Sequence, residues 1–238
     1  RDAEGDDPLL GRPLALYDTV LDAAGRPRAI DVVYLVVGKL TDRLTRKTAG
    51  QSLDVWGPLG NGFTLPACKR LLMVAGGIGQ TPFLALSRHA LGTRSYGTRP
   101  RDAVAIPDVT LCYGARSAEL LAGVADFEAA GVDVRISTDD GSAGHHGLVT
   151  DLMAEAIGET PESVHVVCCG PEPMMAAVAS WTAQHGVPCD VSLETPMACG
   201  LGICFSCVAK VRTDDGAWDY RRTCVEGPVF DARSILFD

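Results

Sequence analysis

Four cysteines near the C-terminus have a spacing that is typical of an iron–sulfur site. They form the pattern C-x4-C-x2-C-x16-C and are Cys199, Cys204, Cys207 and Cys224. A [2Fe–2S] cluster takes four cysteine thiolates, two for each iron, and the x4 and x2 gaps match those of plant-type ferredoxins. The pattern therefore predicts that these four residues hold a [2Fe–2S] cluster.

Two glycines, Gly200 and Gly202, lie inside the x4 gap. A loop wrapped around a cluster must turn its backbone N–H groups towards the sulfurs, and glycine reaches the required φ > 0 conformations at little cost. The alternative is a structural zinc site, but such sites usually show paired C-x2-C motifs. The glycine-containing gap therefore favours the cluster over zinc.

Glycine-containing loops also follow two apolar segments in the middle of the chain. The first contains Gly76, Gly77 and Gly79, and the second is Cys169-Gly170-Pro171. Each lies between a predicted strand and a predicted helix, where free N–H groups and the helix dipole favour a phosphate. Two such loops at the carboxyl ends of parallel strands define one ligand crevice. They predict a dinucleotide site, although either loop alone also fits an ordinary tight turn.

Three regions of different character must position these groups. Residues 8–66 contain β-branched and apolar runs, and a hairpin is predicted from 14–20 and 30–37. Residues 70–190 alternate apolar strands with helical segments, which predicts a parallel sheet covered on both faces. From residue 194 the chain is rich in Gly and Cys and too short for a core of its own. The predicted strands of the middle region are 71–75, 109–113, 132–137, 164–169 and 188–192, and its predicted helices are 81–90, 117–130, 148–156 and 173–184.

Composition limits the classes of function. The chain has 238 residues, a net charge of −9 and scattered basic residues, which argues against nucleic-acid binding and against docking on anionic lipid. It has no run of about 18 consecutive apolar residues, the length that spans a bilayer. Its nine cysteines are an odd number, so metal ligation in a reducing compartment fits better than a disulfide framework. These features predict a cytoplasmic protein that binds neither nucleic acid nor membrane.

Together these motifs resemble one family, the electron-transfer subunit of class 1B dihydroorotate dehydrogenase, within the ferredoxin–NADP reductase superfamily. The resemblance covers nearly the whole chain. It rests on the segments 12–15, 57–63, 76–79, 138–142, 169–171 and 194–207, and on the run from Cys224 to Phe230.

The resemblance implies a fold of class β plus α/β. An incomplete antiparallel FAD-binding β-barrel would occupy residues 1–66, a parallel NAD-binding α/β domain residues 67–193, and a [2Fe–2S] segment residues 194–238. It also implies an oxidoreductase of pyrimidine biosynthesis and a partner, an FMN-containing catalytic subunit that oxidises dihydroorotate to orotate, in a heterotetramer of two plus two subunits. Electrons would run from that FMN through the cluster and FAD to NAD⁺, with the flavin as the converter between one-electron and two-electron carriers.

Position in the family's motifs assigns cofactor contacts to particular residues. Arg12 would pair with the FAD pyrophosphate, because a guanidinium fork suits phosphate geometry. The FAD residues implied by the resemblance are Arg12, Pro13, Leu14, Ala15, Val33, Tyr34, Leu35, Leu40 and Thr41, with 33–35 on a strand, and the NAD residues are Gly76, Gly77, Gly79, Cys169, Gly170 and Pro171.

The sequence departs from the family pattern in three places. Ala15 stands where a serine is common, and Leu40 stands where a glycine usually precedes Thr41. The first strands of the barrel would precede Pro8. From strand lengths of about 5–6 residues and the family's length, about forty residues are expected to be missing there. Whether a chain without them retains FAD stays open.

Three alternatives also stay open. A hydrogenase-linked or electron-bifurcating reductase subunit would share the flavin, nucleotide and cluster sites, but that class often has aspartate where Cys199 stands. A stand-alone oxygenase reductase normally carries a complete ferredoxin domain, for which the roughly 45 residues after Glu194 are too few. The third alternative is a zinc-stabilised module that binds a nucleotide as a regulatory ligand. NAD and NADP are not distinguished, although Arg116 is not part of an arginine cluster.

Overall fold

The computed structural model describes residues 11–65, 67–96 and 105–237. The predicted β region before residue 11, Pro66 at its end, and Asp238 of the predicted cluster segment lie outside the described residues. The strands are β1 (Asp18–Leu21), β2 (Pro27–Asp31), β3 (Arg70–Gly76), β4 (Asp108–Ala115), β5 (Asp133–Thr138), β6 (His145–His146), β7 (Val164–Cys169), β8 (Cys189–Ser192), β9 (Val208–Arg212), β10 (Trp218–Arg222) and β11 (Val229–Asp231). The α-helices are α1 (Lys39–Thr45), α2 (Phe83–Ala90), α3 (Val124–Ala129), α4 (Val149–Ile157) and α5 (Glu172–Gln184).

A seven-stranded sheet with the order β11-β8-β7-β3-β4-β5-β6 forms the centre of the molecule. Six of its strands run parallel, as the alternation of apolar runs and helical segments predicts. The edge strand β11 is antiparallel to β8 and comes from the Cys-rich segment, which the sequence analysis did not assign to the sheet. The sheet is therefore mixed, and the C-terminal segment is joined to it by hydrogen bonds.

Both faces of the sheet are covered, because successive side chains of β3 point to opposite sides. Leu72 and Val74 pack against α4 and α5, whereas Leu71 and Met73 pack against α2 and α3. The predicted helix 117–130 forms only over α3, after a 3₁₀ turn at Ala118–Leu120. Gly123 lies between the two at φ +74°, in the left-handed region, and this interrupts the helix.

The hairpin predicted in the first region is present, but its second strand lies at Pro27–Asp31 instead of at 30–37. β1 and β2 pair antiparallel, with Asp18 opposite Asp31. The strand expected at Val33–Leu35 is wrong, because β2 ends at Asp31 and no described strand lies beside the residues that follow. A strand needs a neighbour to satisfy its N–H and C=O groups. Within residues 11–65 the strands are therefore a two-stranded sheet and not a closed barrel.

The C-terminal segment contains a second hairpin, formed by β9 and β10. Val211 of β9 forms a bridge with Ile235, and both side chains join the core on the α4 and α5 face of the large sheet. The segment is thus held by packing as well as by β11. Among the described residues, no helix combines the length and apolar character needed to cross a membrane.

Candidate functional site

The β9–β10 hairpin brings the third and fourth cysteines together. Cys207 directly precedes β9 and Cys224 follows β10, and the register sets Val208 opposite Arg222 at the open end of the hairpin. The backbone N–H of Thr223 donates to the carbonyl of Cys207 over 2.7 Å. The long x16 gap of the cysteine pattern is therefore a hairpin whose two ends meet.

The four thiols lie as two pairs. Cys204 is within hydrogen-bond reach of Cys199, and Cys207 is within reach of Cys224. In the part of the chain that the structure describes, no group of three or more His, Cys, Asp or Glu side chains is arranged around one metal position. A two-iron cluster takes two thiolates at each iron. The donor set and its pairing therefore fit a [2Fe–2S] cluster.

Hydrogen bonds lower the pKa of one thiol in the first pair, that of Cys204. The Ser206 hydroxyl and backbone N–H, followed by Cys199, lower the pKa of Cys204 to about 6. Burial opposes the shift at Cys207, but hydrogen bonds from Cys224 and Thr223 still lower the pKa of Cys207. Burial and the hydrogen bond to Cys207 raise the pKa of Cys224. Each pair thus has one thiol with a lowered pKa, which favours the thiolate, the form that binds iron.

The glycines of the x4 gap behave as the sequence predicts. Gly200 and Gly202 have φ values of +67° and +78°, and the backbone N–H of Leu201 between them donates to the sulfur of Cys199 over 3.3 Å. Phe205 is also left-handed, at φ +56°, and is the only described non-glycine residue with a positive φ. This last feature could not be predicted from the sequence, because phenylalanine rarely adopts that conformation.

The loop of residues 199–207, called here the cluster loop, lies against residues 56–61. A Cβ atom on Gly200 would be 2.9 Å from Leu59 and 3.3 Å from the indole nitrogen of Trp56. Asn61 donates to the carbonyls of Val225 and Glu226, just beyond Cys224. The end of the first region is thereby held against both cysteine-bearing segments.

The glycines of the two loops predicted to bind a nucleotide, residues 76–79 and 169–171, called here the nucleotide loops, have different roles from one another. A Cβ on Gly79 would be 2.2 Å from the carbonyl oxygen of Cys169, and one on Gly76 would be 2.6 Å from Pro171. These two glycines let the two loops touch each other. Gly77, at φ +53°, has nothing within 4 Å of a Cβ position, so its backbone is open to a ligand.

The second nucleotide loop lies next to the first in the sheet. Ala75 of β3 is paired with Cys169 of β7, and Pro171 immediately precedes α5. Between β3 and β7 the strand order reverses, which is where an open α/β sheet places its ligand crevice. Burial of the sulfur raises the pKa of Cys169 to about 12, against a smaller opposing hydrogen bond from Ser192. The Cys169 thiol is therefore uncharged at neutral pH.

The cluster loop leaves the sheet from the same edge. Ser192 ends β8 opposite Cys169, and Cys199 follows it by seven positions. Seven residues span at most about 25 Å when fully extended. Cys199 therefore lies within that distance of the sheet edge that carries the nucleotide loops.

The residues assigned to FAD lie on three segments of the first region. Arg12, Pro13, Leu14 and Ala15 precede β1, and residues 33–35 follow β2. Because the Tyr17 N–H donates to Asp31, both segments leave the hairpin from its open end. Leu40 and Thr41 lie in α1, which the sequence analysis did not predict, and the Thr41 hydroxyl accepts from the N–H groups of Val37 and Gly38.

A buried polar contact that the sequence analysis missed joins the first hairpin to the nucleotide-binding domain. Asp18 is 5% exposed and its carboxylate binds Arg88, Arg94 at 2.6 Å and Tyr96 at 2.6 Å. The adjacent Tyr17 hydroxyl donates to Asp126 over 2.7 Å. No motif marks these residues, since their partners are distant in sequence.

Curated relatives match almost the whole chain. A Caldanaerobacter subterraneus subsp. tengcongensis protein, "Dihydroorotate dehydrogenase B (NAD(+)), electron transfer subunit", is 37% identical over 229 residues, which are 96% of this chain and 82% of that protein. The protein of the same name from Desulforamulus reducens is 33% identical over 240 residues, 100% of this chain and 84% of that protein. The chain belongs to this family of electron transfer subunits.

Domain matches agree with that membership. Residues 194–236 match the iron-sulfur cluster binding domain of dihydroorotate dehydrogenase B, and residues 73–180 match the oxidoreductase NAD-binding domain. The predicted cluster and nucleotide functions of this electron transfer subunit are thereby confirmed.

Solved structures extend the comparison. The chain resembles the structure described as "Insights into flavin-based electron bifurcation via the NADH-dependent reduced ferredoxin-NADP oxidoreductase structure", with a TM-score of 0.75, 30% identity, and coverage of 95% of this chain and 74% of that one. The FAD/NAD binding domain of Vibrio cholerae nitric oxide dioxygenase has a TM-score of 0.55 at 17% identity, with coverage of 74% and 72%, and shows a shared fold. The predicted ferredoxin-reductase-like fold of the electron transfer subunit is confirmed.

Proposed function

We propose that this chain relays electrons from a catalytic subunit, which oxidises dihydroorotate to orotate, to NAD⁺. Cys199, Cys204, Cys207 and Cys224 would hold the [2Fe–2S] cluster. The observation that carries the proposal is the arrangement of these thiols as two pairs, on a segment that leaves the sheet beside the nucleotide loops. FAD, when bound, supplies the conversion between single electrons and a hydride.

The FAD site is proposed at the open end of the first hairpin. Arg12, Pro13, Leu14 and Ala15 on one side and Val33, Tyr34 and Leu35 on the other would line it, with Leu40 and Thr41 at the start of α1. Leu14 and Leu35 are 38% and 52% exposed, so apolar surface is available there for an isoalloxazine ring. The first region also contacts the cluster loop through Trp56 and Leu59, which supports a flavin between the cluster and the nicotinamide.

The nucleotide site is proposed at the crevice between β3 and β7. The open backbone of Gly77 would approach the pyrophosphate, while Gly76, Gly79 and Gly170 keep the two loops in contact. Cys169 and Pro171 would border the nicotinamide. NAD is proposed as the nucleotide, in line with the NAD(+) in the names of the curated relatives.

The cluster loop is proposed as the docking surface for the FMN-containing catalytic subunit, in a heterotetramer of two plus two. Leu201, Ile203 and Phe205 are 60%, 75% and 60% exposed, and all three lie in the cluster loop between Cys199 and Cys207. Aromatic and apolar residues are typical of the centre of an interface. Since thiolate ligands need a reducing environment, the complex is placed in the cytoplasm.

An Ile203→Asp substitution is expected to prevent assembly, because it buries a charge in the docking surface. Analytical size exclusion with the catalytic subunit should show separate subunits, while the visible spectrum of the chain stays unchanged. Leu148→Asp is the control: Leu148 is also exposed but lies at the start of α4, and this variant should assemble. Normal assembly of the Ile203 variant would contradict this docking surface.

Reconstitution tests the function itself. The anaerobically purified chain should contain iron, sulfide and FAD in a ratio of about 2:2:1, as a [2Fe–2S] flavoprotein requires. With the catalytic subunit and dihydroorotate it should reduce NAD⁺, and omission of the chain should abolish that reduction. A colourless protein that contains zinc would instead identify a zinc-stabilised module.

A bifurcating reductase subunit is the second candidate, because the similarity to the NADH-dependent reduced ferredoxin-NADP oxidoreductase structure covers 95% of this chain. Cys199 distinguishes the two candidates, because bifurcating subunits often have an aspartate at the position where this chain has a cysteine. Reduction of NAD⁺ by dihydroorotate in the reconstituted complex supports the first candidate. Failure there, combined with reduction of the chain by a ferredoxin-dependent partner, supports the second.

A further inference from the structure

Arg222 lies between the two segments that carry the cysteines. Its Nη1 donates to the carbonyl of Gly202, in the cluster loop, over 3.0 Å. Its guanidinium also lies over the ring of Phe205, 5.0 Å from the centroid. Arg222 itself is two positions before Cys224. One side chain thus contacts the loop of the first three cysteines from the segment of the fourth.

The other side of the guanidinium is held by Glu226. The Arg222 backbone N–H and Nε donate to one carboxylate oxygen of Glu226 over 2.8 and 3.2 Å. The carbonyl of Glu226 accepts from Asn61 over 3.2 Å, which fixes the turn to the first region. These bonds set the direction in which the Arg222 fork reaches the cluster loop.

Arg222 contacts the cluster loop at Phe205, a residue with a strained backbone conformation. Phe205 is left-handed, a strained conformation for a non-glycine residue that persists only where the surrounding structure imposes it. A guanidinium over an aromatic face is attractive. Beside it, a Cβ on Gly202 would be 2.6 Å from Val225, so the loop is also closely packed against the Cys224 turn.

We propose that Arg222 is a positioning residue that clamps the cluster loop to the Cys224 turn, and thereby controls how firmly the cluster is held and its reduction potential. The inference rests on the proposed function, because it requires a bound [2Fe–2S] cluster. The planar fork bonds the Gly202 carbonyl and the Glu226 carboxylate at the same time, which a lysine ammonium cannot reproduce. Its positive charge and the ordered N–H groups of the loop stabilise the reduced, more negative cluster.

The test compares Arg222→Gln and Arg222→Lys with Arg221→Gln. Arg221 is the matched control, because it also pairs with Glu226, at 3.4 Å, and its other ion pair is with Asp219. Loss of iron to a chelator, followed by the visible spectrum, should be about 10-fold or more faster in both Arg222 variants, the range for groups that support metal ligands. Redox titration monitored by electron paramagnetic resonance should show a lower cluster potential in Arg222→Gln, with the FAD potential unchanged.

Each outcome either supports or overturns the role of Arg222 as a clamp. Arg222→Gln behaving like Arg221→Gln in both measurements overturns the clamp, and wild-type iron retention by Arg222→Lys shows that charge alone is sufficient and also overturns it. A wild-type chain that contains no iron and sulfide overturns the proposed function together with the clamp. If the wild-type chain contains the cluster but the Arg222 variants behave like the wild type, the clamp is overturned and the proposed function is not.

Discussion

At the scale of single residues, the four cysteines are positioned by neighbouring side chains that are not part of the cysteine pattern. Ser206 is one of them: its hydroxyl accepts from the backbone N–H of Ala198 over 3.1 Å and lies 3.2 Å from the sulfur of Cys204. Thr223 is another, since its hydroxyl contacts the carbonyl of Cys207 over 3.2 Å. These contacts hold the cluster loop in a defined shape, which reduces the ordering cost of assembling a cluster.

Cys204→Ser is expected to abolish cluster binding, because a hydroxyl is a poor replacement for a thiolate at iron. Partner-dependent NAD⁺ reduction should fall by at least about tenfold, the lower end of the loss when only a supporting group is removed. Reduction of bound FAD by NADH should persist, since that step does not need the cluster. The control is Cys68→Ser, at a half-buried cysteine outside the cluster segment, and undiminished transfer by Cys204→Ser would refute the ligand assignment.

At the scale of elements, the nucleotide crevice depends on two loops in direct contact. Gly79→Ala places a methyl group against the backbone of Cys169 and Gly170, neither of which can rotate away. Overpacking of this kind costs about 1–3 kcal/mol, so the midpoint of urea unfolding should fall and NAD⁺ affinity should weaken. Gly77→Ala is the comparison, because it meets no neighbouring atom and has only the strain of its positive φ. A larger loss of stability at Gly77 would refute the packing role of Gly79.

Elements with a strong local pattern could be predicted from the sequence. The parallel strands, four helical segments, the glycines of the cluster loop and the first hairpin all have local signals in composition or periodicity. Strand β11 could not be predicted, because Val229–Asp231 is a strand only through its pairing with β8. The expected strand at Val33–Leu35 failed for the converse reason: its β-branched composition fits a strand, but no described strand pairs with it.

Contacts between elements that are far apart in the chain could not be predicted from the sequence either. Trp56 and Leu59 beside Gly200 bring together segments that are far apart in the chain, and so does Arg222 with Gly202. The cysteine pattern predicts the ligands of the cluster but not the residues that hold those ligands in place. The reason is physical: ligand chemistry restricts residue types and spacing, whereas any polar side chain of suitable length can provide a supporting hydrogen bond.

At the scale of the whole molecule, the geometry of electron transfer requires the first region and the nucleotide-binding domain to keep a fixed relation. Asp18 provides much of that fixation, because a carboxylate that is 5% exposed binds groups from α2 and from the residues after it. Tyr17 adds a bond to α3, and burial together with Asp126 raises the pKa of Tyr17, so its hydroxyl stays protonated and donates.

Asp18→Asn is expected to destabilise the protein by roughly 2 kcal/mol or more, because it leaves two arginines without their buried counter-charge. The melting temperature should fall, and stopped-flow reduction of FAD by NADH should slow as the two units lose their alignment. Asp42→Asn removes an exposed pair between α1 and Arg46, the residue that follows it, and is the control, with an expected effect of about 1 kcal/mol or less. Equal effects of the two substitutions would contradict a special role for Asp18.

The β9–β10 hairpin has a consequence for how the cysteine pattern can vary. Cys207 and Cys224 meet at its open end, whereas the Thr213–Ala217 turn closes the other end with hydrogen bonds of 2.9 and 3.0 Å. An insertion or deletion at that turn changes the length of the hairpin. It does not separate the two thiols as long as the same residues of the two strands stay opposite one another. A one-residue change within a strand would instead turn every following side chain to the other face and move Cys224 away from Cys207. The last gap of the motif is therefore constrained by the register of the two strands rather than by its length.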